Sequence, residues 1–397
     1  MKVTFVFPGP YPSGRVTPRR AHLLCKGLLE NGIDVLMLIP GPTEKNGHIF
    51  NSEPDGNFEG VKYHYLGSKV IRNENIIIRQ LTKVWCYSLL FFNLMVNKYN
   101  TDFLVVLGAS FDYRILLPWI LKLTRIKSIL EINEYPLVTR RNKLTTRLKR
   151  WIIFNLVFPL YDGFIPISTE LDILAKTCKS MKATSIIIPI IGRQISSIRK
   201  NNTANPVNCK YIFHAGSLLE QKDGILGMIK AFGIAKQHLS MPLKFVFTGN
   251  IENSPHKDEI QNLIDEYHLK GDITFTGFLP DDQLDLYFRY ASMAIINKGR
   301  TLQNKYCFAS KAAEYLAYSI AVITTKVGDI KFYLTDGNNA YVIQPDDPKL
   351  LAEKIAQAFN NNAERERIAI GGKGVFDLNF DYKIQGRRLS QYLISFA

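Results

Sequence analysis

Short apolar runs of strand length recur along the chain, each followed by a segment long enough for a helix, and this alternation limits the fold more than any other feature. Lys2–Phe7, Ile33–Ile39, Val61–Leu66, Phe103–Leu107, Ser128–Ile132 and Gly163–Ile167 are too short for helices and rich in β-branched or aromatic residues. The helix predicted over Pro18 to Asn31 carries Leu23, Leu24, Leu28 and Leu29 at helical spacing, and Gly32 closes it. A polar stretch, Ser196 to Pro206, interrupts the pattern with linker composition. Beyond it the alternation restarts: strand Lys210–Gly216, helix Asp223–Gln237, strand Leu243–Thr248, helix Lys257–Leu269, strand Ile273–Phe275, helix Asp282–Tyr290 and strand Met293–Asn297. Strand Tyr341–Gln344, helix Pro348–Phe359 and a final helix Tyr382–Phe396 complete it. Strands that alternate with helices imply parallel, doubly wound α/β sheets, here in two domains. The expected division is 1–195, a linker 196–209, and 210–379, with the last helix at 380–397.

Charge separates the two halves. Residues 1–200 hold 28 Lys/Arg against 14 Asp/Glu, a net of +14, so of the total of +15 the rest of the chain contributes +1. A half so basic is expected near an anionic partner: nucleic acid, acidic glycan or the inner membrane leaflet. The five cysteines are far apart with no CxxC pair, which fits a reducing compartment and neither a zinc site nor a disulfide frame. The run that begins at Met1 breaks at Pro8-Gly-Pro10, and the apolar stretches Trp85–Val96 and Trp151–Ile167 fall short of the ~20 uninterrupted apolar residues that a span needs. The expected location is therefore the cytoplasm, with attachment to the inner face of the cell membrane as a peripheral protein.

In open α/β sheets ligands sit at the carboxyl ends of strands. The loop after the first strand, Gly9 to Val16, is neither GxGxxG nor a P-loop, which weakens dinucleotide and ATPase readings. The loop after Lys210–Gly216 ends its strand in a glycine and delivers Lys222 just before a new helix, a set suited to a diphosphate, although a lysine there can also be merely solvated. Further on, Ser310 can cap a helix over Lys311 to Ala317 whose free N–H groups suit a phosphate, and Glu314 one turn in can accept hydrogen bonds from ribose hydroxyls. By itself Ser310 can be only a cap and Glu314 only a solvated side chain.

Taken in order, His214-Ala-Gly216-Ser-Leu-Leu-Glu-Gln-Lys222-Asp-Gly224, Phe247-Thr-Gly249, Phe275-Thr-Gly277-Phe278-Leu279-Pro280, Phe308-Ala-Ser-Lys311-Ala-Ala-Glu314-Tyr-Leu-Ala, Val327-Gly328 and Asp336-Gly-Asn-Asn339 resemble the donor half of family 4 glycosyltransferases. The resemblance is strongest from about Lys210 to Phe359 and rests on the ordered set. It implies a GT-B fold, two Rossmann-like domains facing across a cleft, and a retaining transferase that uses a nucleoside-diphosphate sugar. It places Gly216, Ser217 and Lys222 at the diphosphate, Gly277 and Phe278 around the nucleobase, and Glu314 on the ribose. Phe308, Ala309, Ser310 and Lys311 would approach the diphosphate and sugar through the start of their helix, and Gly14 matches a loop over the donor sugar.

The chain departs from the family pattern where an Arg is replaced by Ser217, the first of two glutamates by Tyr306, and a Pro and a Gly by Ala309 and Ser319. These changes leave donor identity open and keep a non-catalytic relative in view, beside a nucleotide-sugar epimerase of the same fold. No Asp-x-Asp is present, and Asp281-Asp282 and Asp346-Asp347 read as helix starts, so no metal and no separate cofactor are expected. The resemblance then implies front-face displacement, with Lys222 and helix N-termini stabilising the leaving diphosphate. Glu131 and Glu134 lie where an acceptor would meet the first domain; they can orient a hydroxyl, act as a base, or serve as caps or solvated residues. The implied acceptor is a glycan or a lipid-linked glycan, in cell-surface polysaccharide synthesis, with no nucleic-acid partner.

One further run bears on partners. Arg140, Arg141, Lys143, Arg147, Lys149 and Arg150 contain no acid and lead directly into Trp151-Ile-Ile-Phe154. On a helix this reads as an interfacial segment over 140–154 resting on an anionic membrane, or as a core helix with a solvated basic start.

Overall fold

The computed structural model describes residues 1–13, 16–47, 49–107, 117–124, 126–137, 144–178, 183–195, 204–216 and 218–396. The chain forms two compact units, Met1–Ile191 with Tyr382–Ala397, and Gly192–Asp381.

The first unit runs β1 (Lys2–Val6), α1 (Val16–Leu29), β2 (Asp34–Ile39), β3 (Asp55–Phe58), β4 (Val61–Tyr65), α2 (Ile76–Met95), β5 (Phe103–Val106), α3 (117–121), β6 (Lys127–Ile132), α4 (Leu144–Ile152), β7 (Gly163–Pro166), α5 (Thr169–Cys178) and β8 (Thr184–Ser185). Its sheet order is β3-β4-β2-β1-β5-β6-β7-β8, parallel except for the β3–β4 pair. The inner strands are buried on both faces, which explains why they read as unbroken apolar runs. Right-handed crossovers decide where the helices go. The path from β1 to β2 and the paths from β4 to β5, β5 to β6, β6 to β7 and β7 to β8 run in opposite directions across the sheet. Hence α1 covers one face while α2, α3, α4 and α5 share the other.

The second unit runs β9 (Lys210–His214), α6 (Glu220–Asp223), α7 (Ile225–Lys236), β10 (Leu243–Phe247), α8 (Lys257–Glu266), β11 (Ile273–Phe275), α9 (Asp281–Tyr290), β12 (Met293–Ile296), α10 (Leu302–Tyr306), α11 (Ser310–Ala317), β13 (Val322–Thr325), α12 (Ile330–Tyr333), β14 (Tyr341–Ile343), α13 (Pro348–Asn360) and α14 (Asn362–Asn379). All of its strand pairs are parallel, in the order β11-β10-β9-β12-β13-β14. The order reverses between β9 and β12, so a crevice opens there at the strand ends. Each unit thus has the doubly wound parallel architecture that the alternation implies. Helix α14 lies in a segment to which the sequence pattern assigns no element, and it contains Gly371, Gly372 and Gly374. A Cβ on Gly372 would lie 2.6 Å from Leu316, so the glycine lets this helix pack closely.

The last helix, α15 (Tyr382–Phe396), belongs to the first unit. It crosses α1 at paired glycines, where a Cβ on Gly386 would come within 2.4 Å of the Gly27 Cα. Leu389 and Leu393 enter the same core as Val3, Phe5 and Leu24.

Candidate functional site

The crevice between β9 and β12 collects the charged groups of the second unit. His214, the last residue of β9, is fully enclosed, and its Nδ1 donates to the Ile295 carbonyl at 2.9 Å, which leaves Nε2 as an acceptor. The Lys311 ammonium, from the first turn of α11, lies 3.4 Å from that Nε2 and forms an ion pair with buried Asp223 at the end of α6. Burial, reinforced by the nearby Lys311 charge, pulls His214 down to about 4, so the ring is neutral at pH 7. Lys311 is pulled below its ordinary value by burial, against the opposing attraction of Asp223, with Lys298 and Lys222 adding repulsion. Lys222 and Lys298 therefore lie close enough to repel Lys311, which is paired with Asp223, and an anion at this corner would relieve that repulsion.

Neighbouring loops are tied to this corner. The Gly216 N–H donates to Thr248 Oγ1 at 2.9 Å, and a Cβ on Gly216 would lie 2.2 Å from the His214 ring, so this position accommodates no side chain. The Ala215 N–H donates to the Tyr315 hydroxyl at 2.9 Å, which fixes the β9 loop to α11. Gly249 donates to the Gly277 carbonyl at 3.0 Å, linking the loops after β10 and β11. At Gly277 nothing would obstruct a Cβ, and the adjacent Phe278 ring is 69% exposed. Glu314 is half-buried on the second turn of α11. Lys222 is exposed within α6, and the Lys298 ammonium donates to the Lys222 carbonyl at 3.3 Å and to Asn304 Oδ1 at 3.4 Å. A cavity of about 510 Å³ opens beside Gly224, Asn297 and Gly299, lined by Glu220, Asp346 and Asp347 together with Lys230 and Arg300.

The structure thus groups Gly216, Lys222, Ser310, Lys311 and Glu314 around β9 and α11, and joins Gly277 with Phe278 to them through Gly249. Three details differ from the sequence reading. The cap of α11 is Ala309, which offers no side-chain acceptor; Ser310 is already inside the helix, leaving N–H groups of the first turn unfilled by a side chain. The Phe308 ring is buried against Tyr333 and Phe380, so only its backbone can face a ligand. Glu131 is buried, with Oε1 2.8 Å from Arg20 Nε and Oε2 accepting from Asn133, while Arg20 also donates to the Ile188 and Pro189 carbonyls. A carboxylate so occupied holds the first unit's strand ends together and is badly placed to act as a base. Glu134 is exposed in the loop beyond β6. Gly14 and Ser217 lie outside the described residues.

Sequence reading missed His214, Asp223, Thr248 and Lys298 as site residues. Lys298 carried a legible signal, since it follows the strand beside the switch point. The buried grouping of Asp223 with Lys311, 88 residues apart, carried none.

Of the basic run, Arg140, Arg141 and Lys143 lie outside the described residues. Arg147 and Lys149 are exposed on α4, and Arg150 donates to the Leu137 carbonyl at 3.2 Å. No residue of α4 is buried and burial begins at Ile153, which is the pattern of a core helix with a solvated basic start. Among the described residues no helix is long and apolar enough to cross a membrane.

Comparison with known proteins bears on the fold. Residues 196–375 match the family model described as Glycosyl transferases group 1. Sucrose-phosphate synthase from Thermosynechococcus elongatus superposes with a TM-score of 0.71 at 14% identity, covering 99% of this chain and 98% of that one. A glycosyltransferase from Rickettsia africae ESF-5 gives 0.71 at 16% identity, covering 100% and 98%. Anabaena HepE, solved in complex with UDP, gives 0.70 at 13% identity over 100% of both chains. The fold is therefore GT-B. No curated protein matches the chain in sequence.

Proposed function

We propose that this chain is a glycosyltransferase that moves a sugar from a nucleoside-diphosphate donor to a glycan or lipid-linked acceptor with retention of configuration. The observation that carries the reading is the anion-seeking corner made by Lys222, Lys298 and Lys311, at the switch point of a parallel sheet, one helical turn from Glu314. HepE, a protein of this fold, has been solved with UDP-glucose, which supports a donor of that class here.

In this reading the diphosphate lies at Gly216 and the start of α11, where backbone N–H groups and the lysines meet its charge. Glu314 accepts from the two ribose hydroxyls, and the Gly277-Phe278 loop frames the base. The acceptor oxygen bonds to the anomeric carbon on the face from which the diphosphate departs. The acceptor proton passes to a phosphate oxygen of the leaving group, and the lysines stabilise the nucleoside diphosphate that forms. No metal is required, because protein donors supply the positive charge. On the acceptor side Glu134 is the carboxylate placed to orient a hydroxyl.

Product analysis is the test: the purified chain, a panel of nucleotide sugars and soluble glycan acceptors, with the anomeric configuration read by NMR. Transfer with retention supports the reading. Conversion of the nucleotide sugar without acceptor would make the protein an epimerase, and binding without turnover a non-catalytic relative.

A further inference from the structure

Helix α2 carries two apolar stripes on opposite sides. Cys86, Leu90 and Leu94 are buried against the sheet, while Ile77, Leu81, Trp85 and Phe92 are each 60% or more exposed. At about 100° per residue those four fall within one quadrant, facing away from the buried stripe. From Ile71 through Leu81 every residue is exposed, so the start of this helix stands clear of the core. The pattern extends to its neighbours. Trp119 at α3 is 55% exposed and Trp151 at α4 is 54% exposed, so all three tryptophans of the chain are exposed to solvent, on helices that right-handed crossovers put on one face of the sheet. A water-facing protein surface does not gather its tryptophans in this way, whereas an interface between water and lipid does.

Charge indicates which occupant fits. Residues 75–101 contain Arg79, Lys83 and Lys98 but no acid, and 135–161 contain six bases and no acid. A mixed-charge protein partner needs no such exclusion of carboxylates, while an anionic bilayer does. We infer that the α2–α3–α4 face of the first unit docks onto an anionic lipid bilayer, with Trp85, Trp119 and Trp151 at the headgroup level and basic residues beside them. The helices lie on the surface and do not span it. This surface is larger than the basic segment at 140–154, and its main apolar element, α2, lies some fifty residues earlier in sequence. On the proposed function, it would hold the acceptor side of the enzyme against a lipid-linked substrate.

The test uses the full chain with vesicles of phosphatidylglycerol and phosphatidylcholine, some bearing brominated acyl chains that quench nearby tryptophan. Because every tryptophan is on this face, the fluorescence reports its insertion directly. The protein should float with phosphatidylglycerol vesicles at low salt, be quenched by the brominated chains, and bind pure phosphatidylcholine much less. Arg147→Gln and Lys149→Gln should each weaken partitioning about five-fold, and Leu81→Gln with Trp85→Gln should weaken it further while circular dichroism stays unchanged. Three results would overturn the inference: failure to float with any vesicle, flotation without quenching, or a dimer in lipid-free sedimentation that shields the tryptophans from acrylamide. The readout needs neither donor nor acceptor, so its failure leaves the transfer reading to be judged by product analysis.

Discussion

In the second unit His214 and Asp223 are enclosed at the strand ends with half-buried Lys311 paired to Asp223, whereas in the first unit Trp85, Trp119 and Trp151 are turned outward to solvent. Both units wind helices around a largely parallel sheet. One gathers charge at its strand ends; the other turns apolar and basic side chains to its surface. Similar architectures have acquired different tasks through the placement of a few side chains.

The sharpest way to break this contrast is Lys311→Ala, which removes the ion pair from buried Asp223. Chemical denaturation should show a loss of about 3–5 kcal/mol, while Lys149→Gln on the exposed helix should change stability by less than ~0.5 kcal/mol. Equal effects would erase the distinction between the two regions.

Next in size is the effect of pH. The folded value of His214 lies below its unfolded value, so the unfolded chain takes up the proton first as pH falls. Stability should therefore be full above pH ~6.5, decline between 6.5 and about 4, and level off below, by ~3 kcal/mol from this residue. Unfolding curves of His214→Gln should lack that component, and a wild-type dependence retained in the variant would assign it elsewhere.

Smaller, and confined to function, are Lys222→Ala and Glu314→Gln. A charged hydrogen bond contributes ~1.5–3 kcal/mol, so each should lower kcat/KM by roughly ten- to a hundred-fold with Tm unchanged. Smallest of all is chelation: EDTA should leave the transfer rate unaltered, and loss restored by Mn²⁺ would transfer the leaving-group charge from lysines to a metal.

Much of this was legible in the residues because inner parallel strands are apolar on both sides and their runs are short, as at Phe103–Val106 and Met293–Ile296. The glycines and Lys222 were legible because close backbone approach and point charge each demand a particular residue type. Helix α2 was not: it is apolar nearly all round, so its sequence could not show which side the sheet covers. Its start at Ile76 was equally hidden, since only Trp85–Val96 stood out by hydropathy. Strand β3, with the sequence Asp-Gly-Asn-Phe, has poor strand propensity and exists through its pairing with β4. The Asp223–Lys311 pair depends on where two distant helices start, which no local pattern encodes.

The central claim is that the lysine corner and Glu314 hold a nucleoside diphosphate. It is tested most directly by thermal shift with UDP, GDP, ADP and their sugars, on the wild type and on the Lys222→Ala/Glu314→Gln double variant. One nucleotide should stabilise the wild type by ~2.7 kcal/mol at 100 times its Kd and have little effect on the double variant at the same concentration. Absence of a shift with every nucleotide, or the same shift in both proteins, would contradict it.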